Sequence, residues 1–268
     1  MKLKDKVIVV TGGTGVLGDT FNKAIANEGG AVCIIGRNKE KAEQRAAEII
    51  AAGGNAIGLY ADVLNEQDLQ NANDIIVKKF GKIDGLVNGA GGNQPAAVVQ
   101  PEDDLFHLNM NALEQVMKLN LFGSLLPTQV FGRSMMATSP SSSIVNISSV
   151  SAKTIITKVL GYSMAKAAIE TYTKWFAVEL GKRYGGKIRM NAIVPGFFLT
   201  EQNKTLLTNE DGSFTDRGNN VIAQTPMNRF GKPDELAAAL VYLLSEDSSF
   251  VLGSTLEVDG GFTKFGGV

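Results

Sequence analysis

The chain has 268 residues, 26 of them basic and 27 acidic, for a net charge of -1. That balance excludes the basic surfaces of nucleic-acid and anionic-membrane binders, and 44% hydrophobic with 20% charged residues is the composition of an ordinary globular domain. A lone cysteine, Cys33, and a lone histidine, His107, exclude an intrachain disulfide and argue against a dedicated zinc site.

The opening "MKLKDKVIVVTGG" passes from charge directly into a short apolar run and a glycine turn. It lacks the apolar segment and cleavage site of a signal peptide, so a cytoplasmic location is expected. No apolar run approaches the roughly 18 residues needed to span a bilayer. β-branched runs follow in order: "KVIVVTG", "AVCIIG", "NAIGLYADV", "IDGLVNGAG", "SSSIVNISS", "KIRMNAIVPG" and "STLEVDGG". Amphipathic segments such as "NKEKAEQRAAEIIAAGG" and "NEQDLQNANDIIVKKFG" lie between them. Near-continuous apolar strands alternating with helices predict an α/β fold. It is a single Rossmann-type domain over 1–268, a doubly wound parallel sheet of about seven strands with helices on both faces. Cys33 sits inside an apolar run and reads as a buried structural thiol. The least regular stretch is 196–232, and a long connection after a strand often forms a lid over a site. The helical patterns at 113–136 and 167–180 are apolar on more than one side, which predicts a homo-oligomer built across them.

"VVTGGTGVLGDTF" follows the first strand and opens a helix, with Gly13, Gly15 and Gly18 in a G-x-G-x-x-G pattern. Glycines let a backbone approach a pyrophosphate, and the helix start offers free N–H groups, so Gly12, Thr14, Gly15, Val16 and Leu17 are candidate dinucleotide contacts. The second strand ends at Gly36–Arg37, where a carboxylate would select NAD and an arginine suits the 2′-phosphate of NADP. On that rule NADP is favoured over NAD. Asp62, with Val63 beside it, ends the third run and reads either as an acceptor for an adenine amino group or as a helix cap. In "GYSMAKAAIE", Tyr162 and Lys166 are four apart and share a helix face. Proton transfer at a carbonyl oxygen needs an acid/base, and a nearby ammonium would lower a tyrosine pKa of about 10.

The motifs "TGGTGVLG", "NGAG" at 88–91, "NISS" at 146–149, "YSMAK" at 162–166 and "PGFFLT" at 195–200 resemble, in order and spacing, the short-chain dehydrogenase/reductase family over essentially the whole chain. The resemblance implies that Tyr162 is the acid/base and that Lys166 holds the nicotinamide ribose. It also implies that Ser149, thirteen residues before Tyr162, donates to the reacting oxygen, and that Asn120 holds a water linking Lys166 to solvent. Asn88, Ala90, Pro195, Phe198 and Thr200 would contact the cofactor. The family's usual turn is T-G-x-x-x-G-x-G, and here Val16 replaces the middle glycine. The common family state is a tetramer; a dimer stays open.

Within that family, "NGAGGNQP", "LNLFGSLLPTQVF", "PGFFLTEQNKTLLTNEDGSFTDRG" and "TPMNRFGKPDEL" resemble the D-mannonate oxidoreductase (fructuronate reductase) branch. This implies a sugar-acid substrate, D-fructuronate and D-mannonate. The branch often carries an acidic residue where this chain has Gly36, so NAD stays open beside NADP. A carboxylate substrate needs a cation. Lys153, Lys158 and Lys204 are candidates, with Lys158 preferred, and Asn93 and Gln202 are candidates for sugar hydroxyls. His107 reads as a surface or capping residue. Alternatives are a gluconate 5-dehydrogenase, another polyol or ketoacyl reductase, and a non-catalytic dinucleotide-binding sensor.

Overall fold

The computed structural model describes residues 1–199 and 207–267. Thr200, Gln202 and Lys204 therefore lie outside the described residues.

Seven strands form one wholly parallel sheet: β1 (Val7–Thr11), β2 (Ala31–Gly36), β3 (Asn55–Tyr60), β4 (Gly85–Asn88), β5 (Ser142–Ile147), β6 (Ile188–Pro195) and β7 (Thr255–Val258). Their spatial order is β3-β2-β1-β4-β5-β6-β7. Every residue of β1, β2, β4, β5 and β6 is buried. Both faces of the sheet are covered, which is why these strands read as continuous apolar runs rather than alternating ones.

One face packs on α1 (Val16–Asn27), α2 (Lys39–Ala51) and α7 (Pro233–Leu244), through Phe21, Ile25, Ile49 and Leu240. The other packs on α3 (Glu66–Phe80), α5 (Gly123–Thr138) and α6 (Leu160–Tyr184), through Leu69, Ile76, Phe131 and Leu180. Cys33 is fully buried in the second layer, and burial pushes its thiol far above the usual range. Among the described residues, no helix is long and apolar enough to cross a membrane.

Helix starts follow the side chains that cap them. Asn38 accepts from the Lys41 N–H, and Asn65 accepts from Gln67 and Asp68. Helix α3 ends on Gly81 at φ 78°, a left-handed position that suits glycine. The apolar pattern over 113–136 predicts one helix, but the chain forms two. Helix α4 (Met110–Met117) runs through a π-helical turn at 118–122 into α5. Pro127 lies just beyond and has no N–H for the Gly123 carbonyl. The pattern over 167–180 belongs to a longer helix, α6.

Gly58 on β3 sets the distance to α2. A Cβ there would collide with the Ala42 backbone, which cannot swing away as a side chain can. Gly58→Ala is expected to lower unfolding stability by about 3 kcal/mol, seen as a lower urea midpoint at unchanged slope.

Candidate active site

Between β1 and β4 the strand order reverses direction, and a crevice opens beyond the strands' C-terminal ends. A cavity of about 650 Å³ lies there. Its floor is Gly12, Thr14, Gly15, Val16 and Leu17. One wall is Gly36, Arg37, Ala61 and Val63. The other is Gly89–Gly91 with Pro195, Phe197 and Phe198.

The glycines that the turn needs are read from what a side chain would strike. Gly12 has φ 67°, and a Cβ there would sit 2.7 Å from the Gly89 carbonyl oxygen. A Cβ on Gly18 would collide with the Gly12 carbonyl. Gly15 caps α1 with extended backbone, and Val16 is the first helical residue. A side chain at 16 is therefore accommodated by placing it on the helix rather than in the turn. Thr11, which the sequence reading did not single out, locks the opposite wall. Its hydroxyl oxygen accepts from the Gly89 and Ala90 N–H groups at 3.2 and 3.3 Å.

A close-approach cradle over a helix N-terminus is the donor set that a dinucleotide's phosphates require. These residues fit that group. At Gly36 a Cβ would lie 2.7 Å from both Oγ1 and Cγ2 of Thr14. The space where an acidic side chain would start is filled by threonine, and Arg37 stands exposed on the cavity wall.

One cofactor candidate is placed differently from the sequence reading, and one of the two readings of another is removed. Asn88 does not line the cavity with its side chain. That side chain turns inward, donating to Thr128 Oγ1 at 3.0 Å and Asn146 Oδ1 at 2.8 Å. Asn146 donates onward to Thr173 Oγ1 at 2.9 Å. This polar seam pins α5 and α6 to β4 and β5 under the site, and the cavity wall begins one residue later. Asp62 does not cap a helix, because Asn65 does. Its Oδ1 accepts from the Leu64 N–H at 2.9 Å, and its neighbours Ala61 and Val63 form the cavity surface.

The four residues expected to do chemistry converge where β5 meets α6. Ser149 follows β5 and its hydroxyl oxygen caps the short turn 150–152. It also lies near enough to the Tyr162 hydroxyl to favour that phenol's ionised form. The Tyr162 ring packs on Ala97, Ala112, Leu113 and Val116. Lys166, one turn along α6, is 4% exposed, and its Nζ lies 5.4 Å from the Tyr162 ring centroid. That ammonium points at the Ile147 carbonyl oxygen, 2.7 Å away. Burial therefore dominates both groups: it raises the Tyr162 phenol, partly offset by the nearby Ser149 hydroxyl, and lowers Lys166 to about 8. Burial outweighs the lowering expected from lysine: the ammonium lies over the Tyr162 ring and bonds the Ile147 carbonyl.

Asn120 sits on the π-helical turn and is fully buried. Its Nδ2 donates to the carbonyls of Gly92 (2.7 Å) and Val116 (2.8 Å), and its Oδ1 accepts from the Gly92 N–H at 3.0 Å. The amide is a strut holding the 91–92 loop. A Cβ on Gly91 would meet both Asn120 Oδ1 and Lys166 Nζ, so the small residue keeps this corner open.

Lys153 leaves the list of substrate ligands. Its Nζ bonds Glu170 at 3.1 Å, Glu257 at 2.9 Å and Thr255 Oγ1 at 3.1 Å. It ties the Ser149 turn to α6 and β7. Lys158 is exposed at a positive φ of 75°, with Nζ 3.4 Å from Gln100 Oε1. Asn93 is exposed on the loop after β4. His107 is exposed on the loop 98–109.

A family model described as enoyl-(acyl carrier protein) reductase matches residues 15–263. The chain is 44% identical to an uncharacterized oxidoreductase, UxuB, of Bacillus subtilis (strain 168), covering 99% of this chain and 98% of that one. A provisionally named D-mannonate oxidoreductase from Haemophilus influenza with bound NAD superimposes with TM-score 0.92 at 41% identity, covering 100% of this chain and 98% of that one. A gluconate 5-dehydrogenase from Burkholderia cenocepacia J2315, solved with NADP and tartrate, superimposes with TM-score 0.85 at 32% identity, covering 98% and 97%.

Proposed function

The chain belongs to the short-chain dehydrogenase/reductase family, and from that premise we propose that it interconverts a sugar-acid ketone and its alcohol, D-fructuronate and D-mannonate. The nicotinamide, when bound, accepts or supplies the hydride. Tyr162 moves the proton at the substrate oxygen, and Ser149 donates a hydrogen bond to that oxygen. Lys166 holds the cofactor ribose, and Asn120 keeps the 91–92 loop in place beside it. The observation that carries the reading is the convergence of Ser149, Tyr162 and the buried Lys166 where β5 meets α6, with the Lys166 ammonium 5.4 Å from the Tyr162 ring centroid. The sugar-acid assignment is supported by the full-length likeness to the two bacterial relatives that bear mannonate and gluconate in their names.

Arg37 favours NADP over NAD. The support is the Thr14 side chain beside Gly36, which occupies the space where a ribose-binding carboxylate would start. Pro195 and Phe198, with Thr200, are the proposed nicotinamide contacts, and Asp62 the adenine contact. The region 196–232 is the proposed lid, and its described part carries a small core of Leu207, Val221 and Phe230. Trp175 and Val178, 62% and 54% exposed on α6, support a homo-oligomer.

Initial rates with D-mannonate, D-gluconate and D-altronate, each with NAD and NADP, test this reading by absorbance of the reduced cofactor. Preference for mannonate with NADP is the expected result. Preference for gluconate would favour the polyol alternative, and no rate with any aldonate would retire the sugar-acid assignment.

Lys158 is the proposed carboxylate ligand. A non-glycine residue held at positive φ is strained, and such strain is common where a side chain must be aimed. Lys158→Ala is expected to raise KM for the acid about tenfold, with little change for an uncharged ketone. Equal effects on both would remove it from that role.

A further inference from the structure

The phosphate turn is held from inside by a residue that belongs to none of the motifs above. Asn22 lies on α1 and is fully buried. Its Nδ2 donates to the Gly13 carbonyl oxygen at 2.8 Å. On the other side, the Gly13 N–H donates to the Ile35 carbonyl of β2 at 3.1 Å. Both backbone polar groups of Gly13 are thus tied to the scaffold, one to a helix and one to a strand. A side chain at 13 could not add to this, because its Cβ would lie 2.8 Å from Ile34 Cγ2 and 3.0 Å from the Val10 carbonyl oxygen.

A peptide unit is planar and trans, so the carbonyl of one residue and the N–H of the next point in opposite directions. The described residues contain no cis bond. Because Asn22 draws the Gly13 carbonyl inward, the Thr14 N–H must face the other way. Thr14 lines the cavity, and among the described residues its N–H has no hydrogen-bond partner. An N–H turned outward beside a helix start is a donor for an anion. Asn22 also carries a penalty: its Oδ1 is buried without a partner, which destabilises a fold. An aliphatic side chain would fill this interior position without that penalty. The bond to Gly13 is what the polar residue supplies.

We propose that Asn22 is a positioning residue for the dinucleotide's phosphates, fixing the Gly13–Thr14 peptide so that the Thr14 N–H faces the bound anion. The inference rests on the dinucleotide reading of the cavity and adds the residue that orients its turn. Without the Asn22 bond the peptide can rotate, because glycine at 13 offers little conformational resistance.

Asn22→Leu removes the donor and keeps the number and branching of the side-chain heavy atoms. Asn22→Asp keeps the shape and sets a second acceptor against the Gly13 carbonyl. Each variant is compared with the parent for ADP and for adenosine, by competition against fluorescence of the reduced cofactor. The Kd for ADP is expected to rise about tenfold or more in both variants, with the Kd for adenosine unchanged within about twofold. Equal weakening of ADP and adenosine would show a merely structural role and overturn the proposal, as would no change in either. The parent protein gives an independent reading if the variants fail to fold. On titration with inorganic pyrophosphate, the Thr14 amide proton resonance should move downfield, and a Thr14 resonance that stays in place overturns the proposal. Parent protein that binds no nicotinamide nucleotide would overturn the cavity assignment and this inference together; binding in the parent with unaffected variants overturns this inference alone.

Discussion

Tyr162→Phe is expected to lower kcat by about a thousandfold while leaving nucleotide Kd within about twofold of the parent. The substitution removes one oxygen. The ring keeps its packing on Ala97, Leu113 and Val116, so the fold and the cavity wall stay intact. What is lost is the group that gives or takes the proton as the hydride moves. Burial holds the phenol protonated well into the alkaline range, which suits it to protonate a ketone's oxygen at neutral pH. In the reverse direction the phenol must first lose its proton, so oxidation should accelerate as pH rises and reduction should slow. Single-turnover absorbance separates this loss of chemistry from a loss of binding. A variant that keeps most of its kcat would remove Tyr162 from the acid/base role. A non-catalytic sensor would keep its nucleotide response through the same substitution.

Lys166→Met is expected to abolish most turnover and, at neutral pH, to make the protein more stable. The ammonium is buried, and burial lowers Lys166 from 10.5 to about 8. At about 1.4 kcal/mol per unit, that is a penalty of about 3 kcal/mol for keeping the charge inside. The sign follows from proton counting. Between about 8 and 10.5 the unfolded chain holds a proton that the folded one has released. Stability therefore rises with pH through that window, and the full penalty applies below it. Methionine fills a similar volume with no charge, and losing the bond to the Ile147 carbonyl offsets about 1 kcal/mol. A net gain of about 2 kcal/mol is expected at pH 7, shrinking toward zero or below by about pH 10. Urea unfolding of both proteins at pH 7 and pH 10 measures it. A variant less stable than the parent at pH 7 would mean that the ammonium's hydrogen bond outweighs its desolvation.

The strands were legible because burial on both faces leaves an unbroken apolar run, as in "VIVVT" and "AVCIIG". The glycine turn was legible because its chemistry is local: strand, turn and helix are consecutive. What could not be read depended on residues far apart in the chain. Lys153 stands four residues after Ser149 and looked available to a substrate. Glu257 and Thr255, about a hundred residues later, occupy it. Asn88 looked like a cofactor contact from its place at a strand end. Its side chain was claimed by Thr128 and Asn146, partners that no local spacing reveals. The break between α4 and α5 had a signal in Pro127 that the apolar pattern masked. The polar residues Asn146 and Thr173, each within an apolar run, also marked the seam in advance.

The strand order has a consequence for how the cavity comes into being. β1 pairs with β4, so Val10 and Thr11 lie beside Val87 and Asn88, and the cavity reaches from Gly12 to Phe198. No contiguous piece of the chain contains the pocket. Nucleotide binding therefore reports on completion of the sheet, and cofactor fluorescence should be the last signal to recover on refolding. By mass action, a nucleotide at 100 times its Kd adds about 2.7 kcal/mol to the unfolding free energy of the whole domain, not of the glycine turn alone. The ligand acts as a clasp between the first strands and the sixth, and cellular cofactor levels become part of what keeps the chain folded.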